Sequence, residues 1–436
     1  MVFALTGVLC WPQSFVHAVE KSTSGEVQEL KNLVKQLAQR VHALEAQLQQ
    51  QESQKTEPPL PSNLVAAEAR LHQCQQRKLE AVKAEKEKQK VTSGNDKIKL
   101  AVSGHVNRAV MFADNGNSSK FFHVDNDTSS TRFKFKGEGR VNEDFKVGAQ
   151  IVMQVESNSS SKVDIIDKPS QGTVITDRQL EVWFDHKKLG RLWVGKGKTA
   201  SDHTNDADLS ATNVIADGPS FEEFAGSMSF YNKKDPQATE DLPRVKEVWD
   251  GFNGLRRTDR IRYDTPSIYG FTLGATHLDT DSYDGSLKFA GSYAGYKIKA
   301  AAAVARKYPE YVQYNASLSV LAPFGISVAG STGSRHFTKE EQKERKHADM
   351  WFAKLGYQRE WFELGKTAIA LDYGQMLNLD KAGDRTRSYG AFLVQRADII
   401  AAEFFWGWRW YKLSRRGDDT DFATMSTSML GARVKF

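Results

Sequence analysis

The sequence predicts an all-β transmembrane barrel of sixteen antiparallel strands, preceded by a signal peptide and an α-helical coiled-coil segment. Three observations predict it. From Lys97 onward apolar and polar residues alternate, punctuated by Gly, Asp, Asn and Pro. The gaps between the alternating runs are short and long in turn, as in barrels with short turns at one rim and long loops at the other. The closing stretch DFATMSTSMLGARVKF (421–436) sets Val434, Ala432 and Leu430 on one face and Lys435 and Arg433 on the other. It ends on Phe436, an apolar residue that needs a surface to sit against and is expected to close the barrel.

Composition permits this and narrows the partners. The chain is 26% charged with a formal net charge of +6. A transmembrane barrel looks soluble by such measures, because every other residue faces water. The mild basic excess allows anions as partners, and no nucleic-acid-binding motif is visible. Cys10 falls in the leader, so a mature chain keeps only Cys74 and forms no internal disulfide. No apolar run reaches the roughly 18–20 residues of a membrane helix, so any crossing uses strands.

Residues 1–18, MVFALTGVLCWPQSFVHA, read as a secretory signal with an apolar core and a small residue, Ala18, at its end. A positive n-region is missing, since Lys21 is the first basic residue. Residues 19–55 carry a heptad helix placed in the periplasm. Val27, Val34, Val41 and Leu48 share one seam position, and Leu30, Leu37 and Leu44 share the other. So narrow a seam calls for a partner chain, and valine at a with leucine at d leans towards two strands. TEPPLPSN (56–63) breaks the helix, and a weaker, charged helical linker runs to residue 96.

Residues 97–436 form the strand array. The expected spans are 98–113, 128–140, 145–157, 177–187, 190–197, 256–265, 270–280, 286–294, 297–307, 313–321, 325–335, 348–359, 365–376, 385–396, 399–413 and 421–436. Tight gaps at VNED (141–144), KKLG (187–190), AGY (294–296), APFG (322–325) and EWFELG (360–365) alternate with long ones at 114–127, 158–176, 198–255 and 336–347. A soluble sandwich leaves that sorting unexplained. Strand faces agree. Ile400, Ala402, Phe404, Trp406, Trp408 and Trp410 share one, as do Trp351, Ala353, Leu355 and Tyr357, an apolar band ending in the aromatics that a lipid–water boundary favours.

The opposite faces carry charge. Arg132, Lys134, Lys136 and Arg140 point away from Phe133 and Phe135, and Arg256, Arg260 and Arg262 point away from Ile261 and Tyr263. Arg385 and Arg387 add to the same expected lumen, where fixed positive charge concentrates anions. The long segment 198–255 carries Asp202, Asp206, Asp208, Asp217, Glu222 and Glu223. A loop of that length tends to be functional. Folded inward, it sets these acids opposite the arginines as a constriction; folded outward, it is a mobile external loop. No catalytic signature occurs, so no enzyme, cofactor or covalent step is expected. SDHTNDAD (201–208) sets His203 beside several acids, but the spacing matches no metal-loop template and no metal is expected.

At this point a family is suggested. GRLWVGKGKTASDHTNDADLSATNVI (190–215) resembles the strand-to-constriction-loop passage of Gram-negative porins, and RRTDRIRYDTPSIYGF (256–271) resembles the strand, turn and restart that follow it. The closing GARVKF resembles the terminal signature read by outer-membrane assembly machinery. A leader, a heptad helix and this barrel in order are similar to the DcaP-like porins, a branch known for dicarboxylate uptake. The resemblance implies an outer-membrane trimer, an inward third loop and passive diffusion of small hydrophilic or anionic solutes. The motif match carries Asp202, Asp206 and Asp208 over as constriction-loop acids, and Arg260 and Arg262 as wall cations. A trimer and the dimer-leaning seam stay open beside each other. The rival reading is a barrel anchor whose coil, about 39 Å over residues 26–51, tethers the membrane to peptidoglycan.

Overall fold

Period-2 alternation from Ile98 to Lys435 forms one antiparallel sheet of seventeen strands. The computed structural model describes residues 97–436 except 167–170, 239, 340–344, 346 and 418. The leader, the coil seam from Val27 to Leu48 and the linker lie outside those residues. The strands are β1 (Ile98–Asp114), β2 (Ser119–Asp125), β3 (Arg132–Arg140), β4 (Phe145–Ser157), β5 (Thr173–His186), β6 (Gly190–Lys198), β7 (Arg257–Asp264), β8 (Phe271–Leu278) and β9 (Tyr283–Tyr293). They continue as β10 (Tyr296–Lys307), β11 (Tyr311–Leu321), β12 (Ile326–Phe337), β13 (His347–Phe362), β14 (Gly365–Leu377), β15 (Asp384–Ala397), β16 (Ala402–Arg415) and β17 (Met425–Lys435).

The sheet closes because β1 pairs with β17 on one side and with β2 and β3 on the other. β2 lies beside Arg108–Asp114 and β3 beside Ile98–His105, so the two share one place in the wall and the barrel has sixteen strand positions. This corrects the expected long gap at 114–127. Asn115 starts a tight turn, accepting from the amides of Asn117 and Ser118 (3.2 and 3.1 Å), and the strand resumes at once. The interruption lies further on. Asn126 caps a short 3-10 turn (Asp127–Ser129) by accepting from the Thr128 amide, and its Nδ2 donates to the Val214 carbonyl at 2.8 Å. A polar run that reads as a loop in sequence is thus a step in the wall, bent inward to meet another segment.

Closure ends at Phe436. Its amide and carbonyl bond with Gly104 at 3.0 and 2.9 Å, and its ring lies 6.2 Å from that of Phe133. Short connections (141–144, 187–189, 294–295, 363–364) gather at this rim. The strand ends joined by the long connections 158–172, 199–256 and 338–346 lie at the other.

Outward faces carry the apolar band. On β16, Phe404 and Trp408 face out, while Phe405, Arg409 and Tyr411 are buried inside. Trp408 and Trp410 stack at 5.0 Å, and Tyr389 on β15 stacks on Trp410 at 5.3 Å.

Candidate solute pathway

Residues 199–230 and 245–256 fold into the barrel, and the wall shows why. The inner faces of β13 to β17 carry an apolar patch, with Met350, Phe352, Phe392, Phe405 and Met425 buried. Against them lies the loop's own cluster of Ile215, Phe221, Phe224, Met228, Trp249 and Phe252. Phe221 and Trp249 stack at 4.4 Å, and Phe221 meets Phe352 edge-on at 5.8 Å. Burial of each large side chain contributes roughly 1.5–3 kcal/mol. The close approach needs glycine in the wall: a Cβ at Gly374 would come within 2.7 Å of Trp249 and one at Gly407 within 2.8 Å of Ile215.

Polar staples fix the loop's course. The Ala207 and Leu209 amides donate to Ser317 and Ser319 on β11 (3.2 and 3.1 Å). Lys354 Nζ on β13 donates to Asp208 Oδ2 at 2.7 Å and to the Ala216 carbonyl at 2.8 Å. Arg335 Nη2 donates to Asp250 Oδ2 at 2.9 Å, its guanidinium lying 4.5 Å from the centre of the Phe252 ring. Arg409, paired with Asp372 at 2.7 Å, lies 3.7 Å over the Phe221 ring. The loop thereby covers one arc of the inner wall.

The opposite arc, β3 to β7, stays open and is basic. A cavity of about 460 Å³ is lined by Arg132, Lys134, Lys136, Arg178, Lys198 and Arg257, together with Trp183, Arg191 and Trp193. Among the described residues Arg132 and Arg178 donate to neutral acceptors only: Arg132 Nε to the Ser130 carbonyl (2.9 Å), and Arg178 Nη1 to Ser130 Oγ (3.0 Å) and to Gln154. Among the described residues no carboxylate pairs with Arg132, Lys134, Arg178, Lys198 or Arg257. Arg191 pairs with Asp185 at 2.8 Å and lies over both Trp183 and Trp193 at about 5 Å.

The basic residues picked out in the sequence divide by position. Arg132, Lys134 and Lys136 lie on the inner face; Lys136 is held by Glu138 at 2.7 Å. Arg140, also on β3, is exposed at the short-turn rim. Arg260 and Arg262 point inward but are tied down. Arg260 is bound by Glu181 with both side chains buried, and it donates to the Gly195 carbonyl at 2.9 Å; Arg262 pairs with Asp264 at 2.9 Å. Arg256 precedes β7 with φ of 59°, and its guanidinium meets Glu222 at 3.2 Å and Asp250 at 3.5 Å. Arg385 and Arg387 correct the expected lumen: they share a face with exposed Tyr389, while inward Phe392 packs on Phe224.

The acids also divide. Asp208 is buried in its pair with Lys354, with neither side chain exposed. Asp202 is buried and its carboxyl is held low: burial opposes its charge, but His203, Lys198 and Arg257 outweigh that. Asp206 bonds the His203 ring. His203 is raised in turn, Asp202 and Asp206 overcoming burial. One atom each of His203, Asp206 and Asp217 lies within 4.8 Å of the others. Asp217 is pushed up to about 6 by burial and by Asp206; Glu222 rises to about 7 by burial, against the pull of Arg256. Glu223 rises well above the usual carboxylate range through burial and through Asp127, Glu222 and Asp217, and it lies within electrostatic reach of Arg132 and Arg178. The arrangement is a cationic wall facing loop acids whose charge is paired or suppressed.

Sequence parity misses Arg178 and Arg257. Arg178 is skipped by the pairing at the register shift opposite Val152 and Met153, so Arg178 and Gln179 face the same way. Arg257 follows the left-handed Arg256, which resets the strand. Neither irregularity has a signal in the alternation itself.

A closed barrel with a lipid-facing band, an inner loop and a charged open arc defines an outer-membrane channel. The profile of the Gram-negative porin family matches residues 81–396, and the chain belongs to that family. Among solved structures it is similar to an anion-selective porin from Comamonas acidovorans, with a TM-score of 0.52 and 13% identity over 78% of this chain and 100% of that one. It is likewise similar to OmpT, an outer membrane protein of Vibrio cholerae, with a TM-score of 0.51 and 11% identity over 79% of this chain and 100% of that one. A trimer form of OmpT matches with a TM-score of 0.50 and 10% identity over 78% of this chain and 100% of that one. No curated protein matches the chain. The protein is a passive outer-membrane channel.

Proposed function

We propose that this channel passes small hydrophilic solutes down their own gradients with a preference for anions, dicarboxylates among them. The observation that carries the reading is the open arc of Arg132, Lys134, Arg178, Lys198 and Arg257 without paired carboxylates, opposite acids that are paired or raised. Fixed cations in a low-dielectric passage raise the local anion concentration. Guanidinium forks suit carboxylates, and two or more along one passage suit a solute with two. The anion-selective neighbour supports the preference at the level of fold. Dicarboxylate preference rests further on the resemblance to the DcaP-like branch.

The same reading makes the protein a homotrimer, one form of the OmpT neighbour being a trimer, with residues 19–55 as a periplasmic coil and residues 1–18 removed on export. Its partners are then outer-membrane lipid, the assembly machinery that reads the strand ending in Phe436, and the solutes. The test is the zero-current potential across a planar bilayer holding the purified protein under a salt gradient, followed by uptake of succinate against a neutral solute of equal size in liposomes. Anion-signed potentials and faster succinate entry support the proposal; cation-signed potentials overturn it.

A further inference from the structure

Arg385 and Arg387 stand on the lipid side of the wall, where a charge needs a reason. Register pairs Arg387 with Lys412, and on the next rung outward it pairs Arg385 with Ser414. One rung inward, Tyr389 pairs with Trp410, and then Ala391 with Trp408. On β14, Gln375 flanks Arg387 and Tyr373 flanks Tyr389. The face therefore reads, from the long-loop rim inward, as cations, then stacked aromatics, then apolar side chains. That is the order of a membrane leaflet from headgroup to acyl chain.

The cations are available. Arg385 and Lys412 are exposed, and among the described residues Arg387 makes one side-chain bond, from Nε to Gln375 Oε1 at 3.3 Å. Among the described residues, four carboxylates of this rim hold other cations. Asp380 and Asp384 both hold Arg415 at 2.7 Å; Asp421 meets Lys233 at 3.4 Å, and Asp419 binds Lys234. A groove of about 360 Å³ opens on the rim between Asn378, Arg385, Arg387, Ser414 and Arg416. The guanidinium forks of Arg385, Arg387 and Arg416 edge this groove beside Asp384, which Arg415 holds, and Lys412 stands next to Arg387 in the register; forks with an ammonium alongside match phosphate oxygens.

We infer that the outer face of β14–β16 is a docking surface for the phosphorylated headgroup of an outer-leaflet glycolipid, gripped by Arg385, Arg387 and Lys412 with its acyl chains laid over Trp408 and Leu371. Continuity with the apolar band selects a lipid over a free anion, because a soluble phosphate would leave the aromatic rows unused. The inference rests on the outer-membrane placement, with the long-loop rim outward as in bacterial barrels, and is independent of what the lumen passes.

The test is native mass spectrometry of the full-length protein, released from detergent after incubation with a bisphosphorylated glucosamine-disaccharide lipid. Parallel arms use the same lipid without phosphates and inorganic phosphate alone. The wild type should retain the bisphosphorylated lipid and neither control. The triple variant R385Q/R387Q/K412Q should retain it about tenfold less or weaker still. R359Q, an outward charge near the opposite rim, should retain it fully. Heat-modifiable gel mobility and single-channel conductance report that each variant is a folded channel, so loss of conductance would count against the channel reading alone. Equal retention by the triple variant, or equal binding of the dephosphorylated lipid, would overturn the inference. So would loss of the oligomer with lipid retention unchanged, which would make the face a contact between copies.

Discussion

Lys354 Nζ and Asp208 Oδ2 lie 2.7 Å apart with neither side chain exposed, and the pair joins the β13 wall to the loop inside the barrel. A buried ion pair adds little net stability, yet removing one partner leaves an unpaired buried charge. Lys354→Ala should therefore weaken the loop's seat by about 3–5 kcal/mol, and Lys354→Met by less. Limited proteolysis within 199–256 on the folded channel checks this: faster cleavage of Lys354→Ala is expected, with larger fluctuations in single-channel current.

Arg178 and Arg257 should carry more of the ion preference than Arg260 or Arg262. Among the described residues the first two pair with no carboxylate; the second two are held by Glu181 and Asp264. Arg178→Ala with Arg257→Ala should lower the anion-to-cation permeability ratio by about twofold or more. Arg260→Ala should lower folded yield by stranding Glu181. Arg385→Ala with Arg387→Ala should leave the ratio unchanged, since both face away from the lumen. Zero-current potentials of the variants separate these outcomes.

Lower pH should strengthen anion preference. Glu222 is raised from 4.5 to about 7 and Asp217 from 3.8 to about 6, chiefly by burial. Between those values the folded loop binds more protons than an unfolded one, so its packing is firmest at low pH and loosens as pH rises through the window from about 4 to about 7. His203 acts in the same sense: its stabilisation is full below 6.5 and lost as pH rises through its raised folded value. Going from pH 8 to pH 5 removes negative charge opposite the arginines, so the zero-current potential should move in the anion direction. Glu222→Gln should flatten that movement.

Gly104 marks where the barrel closes. A Cβ there would lie 2.5 Å from the Arg132 carbonyl oxygen and 2.8 Å from Phe436 Cζ. Gly104→Val should reduce the heat-resistant folded band on gels and the amount reaching the outer membrane. Gly330→Val is the control, because its nearest neighbour is 3.5 Å away.

The wall was legible because one face of each strand meets lipid, and period 2 records that in the sequence. The terminal strand and the short turns followed from it, as did the inward course of Arg132, Lys134 and Lys136. Four features escaped. The step at Asp127–Ser129 is polar because it bonds the inner loop, and polarity reads as a surface turn. The register shift at Arg178 changes side-chain direction without changing composition. Arg385 and Arg387 alternate with small residues, so their parity was visible but its sign was not. Only the neighbouring Tyr389 and the inward Phe392 fix which side they take. The inner loop's apolar cluster has no fixed period, so its partner wall could not be found from spacing.

The most direct measurement is the zero-current potential of the full-length protein in a planar bilayer under a tenfold potassium chloride gradient at pH 7. Stable open channels whose potential has the sign for chloride over potassium are the expected result. A potential of the opposite sign, or protein that inserts and never conducts, would contradict the cationic pathway between the inner loop and β3–β7.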